Sequence, residues 1–223
     1  MQNYKKKFAE FLVRSDAIQF GEFKLKSGRM SPYFFNSSKF NTGLLIEELA
    51  QYYASAIEQY APGCNLVFGP AYKGIPLCVT VATALSKKLN RNIGYFFNRK
   101  EIKTHGDQGI LVGQFPQSGD MPIMVDDVFT DGQTKTESVN LVRELCKTNF
   151  SGVLVALDRM EINSRGENAI TEFQIKTGVP VWSIITIQEV CLYLKNRIVN
   201  DKVIMNETIY NRIKRHLEEH SNH

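Results

Sequence analysis

The sequence predicts an α/β fold: a doubly wound parallel sheet of about five strands flanked by helices, with a small N-terminal cap. Three observations carry this expectation. Near-continuous apolar runs recur along the chain, as in parallel strands buried on both faces. Segments of helical period separate them, which is the alternation of βαβ units. One apolar run ends in two adjacent carboxylates and a glycine-containing loop that opens a helix, and ligands of open α/β sheets bind beyond such strand ends.

The elements follow in chain order. Phe8 to Arg14 reads as an amphipathic helix. Residues 17–40 hold short β-like pieces broken by Gly21, Gly28 and Pro32, read as a cap over the strand ends. A helix is expected over about 43–60, where Leu45, Leu49, Tyr52, Tyr53, Ala56, Ile57 and Tyr60 form one apolar stripe. Strands are expected at 65–68, 93–97, 122–128, 153–157 and 181–186. Helices are expected at about 75–89, 133–148 and 166–177, with Val139, Val142, Leu145 and Cys146 as the stripe of the second. The tail, about 203–220, carries Ile209, Ile213 and Leu217 at four-residue spacing, a last amphipathic helix. His216, His220 and His223 lie near it and read as a solvated helix end rather than a metal site.

Composition narrows the class. The 223 residues suffice for one large domain or two small ones, and without repeats or a linker the whole of 1–223 is read as one. A hydrophobic content of 43% against 22% charged residues supports a core and argues against disorder. No run approaches the length of a membrane span. The basic start, Lys5-Lys6-Lys7, has no apolar stretch of a signal peptide after it. The four cysteines, 64, 78, 146 and 191, are scattered as small core residues of a reducing compartment would be. A net charge of +4 without a dense basic stripe disfavours nucleic acid as a partner.

Four segments carry chemistry. In Met124-Val125-Asp126-Asp127-Val128-Phe129-Thr130-Asp131-Gly132-Gln133-Thr134, the loop offers helix-start N–H groups to a phosphate. The carboxylates before it can accept ribose hydroxyls or hold Mg²⁺ through oxygen. An Asp-Asp pair at a strand end also suits a receiver domain or another Mg²⁺-dependent phosphotransfer site. Phe68 to Pro76 is a βα turn in which Gly69 and Gly74 permit close backbone approach and Lys73 can meet a diphosphate. Taken alone it reads rather as an ordinary turn with a surface lysine. Asn98 to Gly109 gathers Arg99, Lys100, Lys103 and His105 beside glycines at 106, 109 and 113, which suits a lid over an anionic leaving group or a plain solvated loop. Leu25 to Asn36 sets Phe34-Phe35 beside a basic turn, either to cover a flat ring or as ordinary core.

Together these segments resemble the orotate phosphoribosyltransferase family in its bacterial form, a branch of the type I phosphoribosyltransferases. The resemblance runs from Phe20-Gly21-Glu22-Phe23 to Ile184-Ile185-Thr186. Leu25 to Arg29 and Ser31 to Asn36 separate it from purine and uracil relatives. It implies the type I phosphoribosyltransferase fold and the transfer of ribose 5-phosphate from phosphoribosyl diphosphate to orotate. The products are orotidine 5′-phosphate and pyrophosphate, in pyrimidine nucleotide (UMP) synthesis. Mg²⁺ as cofactor, a cytoplasmic setting and a homodimer with shared active sites follow from the same likeness. By resemblance, Asp126 and Asp127 handle the ribose hydroxyls, Thr130, Asp131, Gly132, Gln133 and Thr134 cradle the 5′-phosphate, and Val128 and Phe129 also belong to the donor site. Tyr72 and Lys73 meet the diphosphate, and Lys26 covers the site from the cap. Phe34 and Phe35 line the orotate pocket, where Thr130 and Arg159 make contact; the Arg159 fork can grip a carboxylate with two bonds. Arg99, Lys100, Lys103 and His105 belong to a loop that serves the neighbouring subunit. Lys103 or His105 donates a proton to the leaving pyrophosphate; the sequence does not choose between them.

One departure stands out. Asp131 and Gln133 occupy places where the family usually has small residues. A carboxylate ~4 Å from a phosphate costs about 1 kcal/mol in water. Asp131 is therefore expected to point away or to pair with a cation such as Lys135. Rival readings are a transferase for another base, a nucleic-acid-binding regulator and a receiver domain. They are disfavoured respectively by Arg159 with Phe34-Phe35, by the lack of an added domain, and by the chain length with its second basic loop.

Overall fold

Alternation along the central strands decides the architecture. The structure, a computed structural model, describes residues 1–25, 28–103, 109–162 and 166–221, the side chains of Ile102 and Lys103 excepted. Helix α1 (Asn3–Arg14) buries Phe8, Phe11 and Leu12, one face at helical spacing. An antiparallel hairpin follows, β1 (Ile18–Lys24) and β2 (Met30–Phe35), with a bulge between Phe20 and Phe23. A 3₁₀ turn at Ser37–Lys39 leads to α2 (Gly43–Tyr60), whose first turn is capped by the Thr42 hydroxyl accepting from the Leu45 N–H.

The central sheet then builds outward. Its strands are β3 (Leu66–Gly69), β4 (Gly94–Lys103), β5 (Gly109–Gly113), β6 (Pro122–Val128), β7 (Gly152–Asp158) and β8 (Val181–Thr186). Helices α3 (Gly74–Leu89), α4 (Gln133–Cys146) and α5 (Ala169–Thr177) make the crossovers. The spatial order is β5-β4-β3-β6-β7-β8, all parallel except β5. After β3 the chain moves one way, to β4; after β6 it moves the other, to β7 and β8. The turns after β3 and β6 therefore diverge and leave a crevice between them.

Alternate side chains feed two cores. Val67, Ile123, Val125 and Leu154 pack with α1, α2, α3 and the hairpin. Leu66, Phe68, Met124, Val153 and Val155 pack with Val139 and Val142 of α4 and Phe173 of α5. Leu145, expected in the α4 stripe, is exposed instead, and Cys146 is half-buried, because the stripe drifts off the sheet before the helix ends. The chain closes with α6 (Ile187–Leu194), a short hairpin of β9 (Ile198–Val199) and β10 (Lys202–Val203), and α7 (Glu207–His220).

The structure corrects the expected sheet in two ways. It has six strands rather than five, and one is antiparallel. The sixth, β5, lies in the stretch read as a glycine-loosened lid. Gly113 has φ +99°, and a Cβ there would lie 2.3 Å from the Tyr95 carbonyl oxygen. This glycine serves close strand approach, not mobility. Arg99 and Lys100 accordingly sit on β4; the Arg99 guanidinium donates to the Gly109 carbonyl at 3.0 Å. Helix α6 was not anticipated, although Thr186 and Glu189 form a reciprocal capping box at its start.

Gly69 shows how tightly the first turn is drawn. A Cβ at Gly69 would lie 1.9 Å from the Gly74 carbonyl oxygen and 2.9 Å from the Cys78 Cβ. Gly69→Ala is expected to destabilise the fold by about 1–3 kcal/mol, the usual cost of overpacking. Urea unfolding followed by circular dichroism measures it as a lower midpoint at unchanged slope; an unchanged midpoint would mean that the turn relaxes freely.

Candidate active site

The crevice is where most of the sequence-predicted residues meet. Strand β6 is buried up to Val125 and then delivers Asp126 and Asp127 to its open end. The chain turns through Phe129 to Asp131 and enters α4 through Gly132, at φ +73°; a Cβ there would press on the Phe129 ring at 2.8 Å. The first N–H groups of any helix lack intrahelical acceptors and face outward from its start. Across the crevice stands the turn Pro70–Lys73, whose Ala71–Tyr72 peptide bond is cis. The two turns enclose a cavity of about 310 Å³ lined by Tyr72, Lys73, Asp126, Asp127, Thr130 and Thr134 among others.

Each carboxylate of the pair has a cation. Asp126 Oδ2 accepts from the Lys135 ammonium at 2.5 Å, and the same ammonium donates to the Val128 carbonyl at 3.0 Å. Lys135 is only 5% exposed. Burial pushes the Asp126 carboxyl above the usual carboxylate range; the Lys135 charge opposes this and the Asp127 charge adds to it. Asp127 Oδ2 accepts from the Ser37 hydroxyl and lies 3.4 Å from the Lys73 ammonium. Tyr53 of α2 donates to the Asp126 carbonyl at 2.6 Å, so the strand end is held from below.

Asp131 behaves differently from one expectation. Lys135 is occupied by Asp126, so of the two arrangements expected for Asp131 the pairing with Lys135 is the one not formed. Asp131 is exposed, and its carboxylate accepts from the Gln133 N–H at 3.0 Å. The Gln133 side chain turns outward to Glu137 at 3.0 Å.

A second cluster lies over the end of β7. Register pairs Leu157 with Val128, so the segment after β7 neighbours the loop after β6. There Arg159 donates to Glu161 Oε1 at 2.9 Å. The Glu161 carboxylate is 6% exposed and also accepts from Arg29 at 2.7 Å and from the Tyr33 hydroxyl at 2.5 Å. His216 Nε2 of α7 lies 3.4 Å from it. The expectation of a solvated helix end is thus overturned for His216. It is buried because it falls three residues after Ile213, on the inward face of α7. Phe34 and Phe35 point to opposite faces of β2, as neighbours on a strand must. Phe34 stacks on Phe23 with ring centroids 5.6 Å apart, and Phe35 turns towards Phe40 and the core. On the other side of the crevice, the Lys100 ammonium lies 4.9 Å from the Tyr72 ring centre.

Lys26, His105 and the side chain of Lys103 lie outside the described residues, as does His223. Sequence reasoning gave no role to Ser37, Tyr53, Glu161 or His216. Only Glu161 carried a signal, its place two residues after Arg159. Among the described residues, no group of three or more His, Cys, Asp or Glu side chains could hold a metal ion by itself. None of their helices is long and apolar enough to cross a membrane.

Comparison with known proteins adds an independent line. No family model matches the chain. It is 42% identical over 221 residues to an orotate phosphoribosyltransferase of Clostridium botulinum, covering 99% of each chain. It is 43% identical over 195 residues to one of Methylococcus capsulatus, covering 87% of this chain and 90% of that one. Among solved structures, an orotate phosphoribosyltransferase of Francisella tularensis superimposes with a TM-score of 0.82 at 33% identity, over 97% of this chain and all of the other.

The second cluster has a measurable pH signature. Burial raises the Glu161 pKa, but the nearby His216, the Arg159 charge and the Tyr33 hydroxyl outweigh it and hold the carboxyl at about 2 instead of 4.5. A carboxyl depressed by folding adds stability that is complete above its unfolded pKa and disappears as the pH falls through its folded one. The contribution is roughly 3 kcal/mol. Urea unfolding at a series of pH values should show wild type more stable than Glu161→Gln at pH 7, with the gap narrowing between pH 4.5 and 2. A gap independent of pH would contradict the depressed carboxyl.

Proposed function

We propose, for a chain that belongs to the orotate phosphoribosyltransferase family, that the crevice and the Arg159 cluster are the donor and base halves of its active site. The reaction is the transfer of ribose 5-phosphate from phosphoribosyl diphosphate to orotate, giving orotidine 5′-phosphate and pyrophosphate in UMP synthesis. The observation that carries the site reading is the crevice itself: an acidic pair, a helix start and Lys73 around one cavity at the switch point of the sheet.

The residues divide the work. Helix-start N–H groups of the 130–134 loop hold the 5′-phosphate, while Asp126 and Asp127 accept from the ribose hydroxyls. Lys73 leaves Asp127 to meet the diphosphate, and Tyr72 lies beside it. Arg159 already donates to Glu161 through Nη2, and its other guanidinium N–H groups would grip the orotate carboxylate. Thr130 and the Phe34 side of the cap complete the base pocket, and Lys26, outside the described residues, is assigned to the donor. Orotate N1 attacks the ribose C1 and releases its proton as the C1–O bond breaks, and that bond's electron pair leaves with pyrophosphate, whose protonation balances the proton lost from N1. Positive charge grows on the ribose and negative charge on the leaving group. The cations Arg99, Lys100 and Lys103 answer that charge, and Lys103 or His105 supplies a proton.

Mg²⁺ fits this donor set. Two carboxylates, each already engaged, match an ion held mainly by substrate oxygens and water. When bound, it would neutralise the diphosphate of the donor. We read the whole chain as one domain working as a homodimer, with the 99–105 segment serving the partner's site. The free cysteines, with the burial of Cys64 raising its thiol to about 11, suit a reducing, cytoplasmic setting. An absorbance assay for loss of orotate with phosphoribosyl diphosphate, with and without Mg²⁺, tests the reaction. Absence of turnover with Mg²⁺ would refute it.

Two variants test the assignments. Arg159→Ala should weaken orotate binding much more than donor binding, by several kcal/mol for a lost charged pair. Calorimetric titration of both ligands decides this; equal weakening would remove the assigned role. The shared site predicts complementation. Mixing Lys103→Ala subunits with subunits carrying Asp126→Ala and Asp127→Ala leaves about half the dimers mixed, each with one intact site. Activity should therefore recover to about a quarter of wild type. No recovery, despite proven subunit exchange, would place each loop over its own site.

A further inference from the structure

Lys135 is a buried cation for which the proposed mechanism has no use. Its ammonium lies 2.5 Å from Asp126 Oδ2, 3.0 Å from the Val128 carbonyl and 5.1 Å from the Phe129 ring centre. Its side chain is 6% exposed, against 69% for Lys73, which lies at a looser 3.4 Å from Asp127. The two cations of the acidic pair thus differ in kind. Lys73 can swing to a ligand, while Lys135 is fixed in place by packing and two acceptors.

Asp126 is correspondingly immobile. Its Oδ1 accepts from the Asp127 N–H at 2.9 Å, its Oδ2 from Lys135, and its carbonyl from Tyr53. An ionised carboxylate has about four lone-pair sites. Two are used here, so both oxygens keep an acceptor position for a ligand hydroxyl. Preorganisation of this kind lowers the ordering cost of binding.

We propose that Lys135 is a positioning residue for the phosphoribosyl donor, acting as a permanent internal cation that locks the Asp126 carboxylate to receive the ribose hydroxyls. The inference rests on the donor-site reading given above. It differs from a merely structural buried ion pair in its consequence: loss of Lys135 should affect one substrate and not the other. It should also act only through Asp126.

Calorimetric titration of phosphoribosyl diphosphate and of orotate, separately, into wild type, K135M, D126N and the double variant K135M/D126N tests this. K135M keeps the aliphatic stem and removes the charge. The expected result is donor binding weakened about tenfold or more, orotate binding within about twofold of wild type, and a double variant no worse than D126N alone. Should K135M fail to fold, K135Q, which keeps a hydrogen-bond donor, takes its place. Wild-type donor binding in the folded variant would overturn the proposal. So would equal loss for both ligands, or additive losses in the double variant, since Lys135 would then not act through Asp126. Wild type that does not turn over orotate would overturn the underlying reading as well, which separates the two failures.

Discussion

The Glu161 carboxylate is the constraint on which the arrangement of the base pocket depends. It is buried, and it gathers Arg29 and Tyr33 from the cap, Arg159 from the end of β7 and His216 from α7. A two-stranded hairpin such as β1–β2 is marginally stable alone. Here it is anchored to the sheet and to α7 by one anion shared among several donors. Without that anion, two partly buried guanidinium groups would lose the counter-charge they share, and an unpaired buried charge is costly. The orientation of Arg159 and the seating of the cap are therefore one event.

A similar logic governs the acidic pair. Two adjacent carboxylates at a strand end repel each other, and burial of Asp126 makes this worse. The chain answers with one cation per carboxylate, drawn from both sides of the switch point: Lys135 from α4 and Lys73 from the turn after β3. Ser37 links Asp127 to the cap as well. The site is thus assembled by strand order, since only the divergence of the chain between β3 and β6 puts these turns face to face.

How much of this was legible follows from what a local pattern can hold. Helix α2 matches its apolar stripe end to end, and the buried strands β3, β6, β7 and β8 were visible as apolar runs. The Asp126–Thr134 segment announced itself through residue types whose chemistry needs that spacing. Strand β5 did not, because glycine encodes both mobility and close approach, and only the position of the Tyr95 carbonyl distinguishes them. His216 was opaque, and Lys135 and Glu161 were only partly legible, for another reason. Each owes its place to a partner or a packing face that the sequence alone did not reveal: Lys135 reaches back to Asp126, and Glu161 meets His216 of α7. A histidine near the end of a helix reads as solvated unless the helix's seating is already known.

The spread of the Glu161 donors along the chain has a consequence for how the protein is made. Arg29 and Tyr33 emerge from the ribosome early, and Arg159 with Glu161 much later. His216 comes last of the group. Domains generally fold as units. The hairpin, though made among the first elements, must wait for its anchor, and Glu161 must wait for His216. The base pocket therefore cannot be completed before synthesis has reached α7.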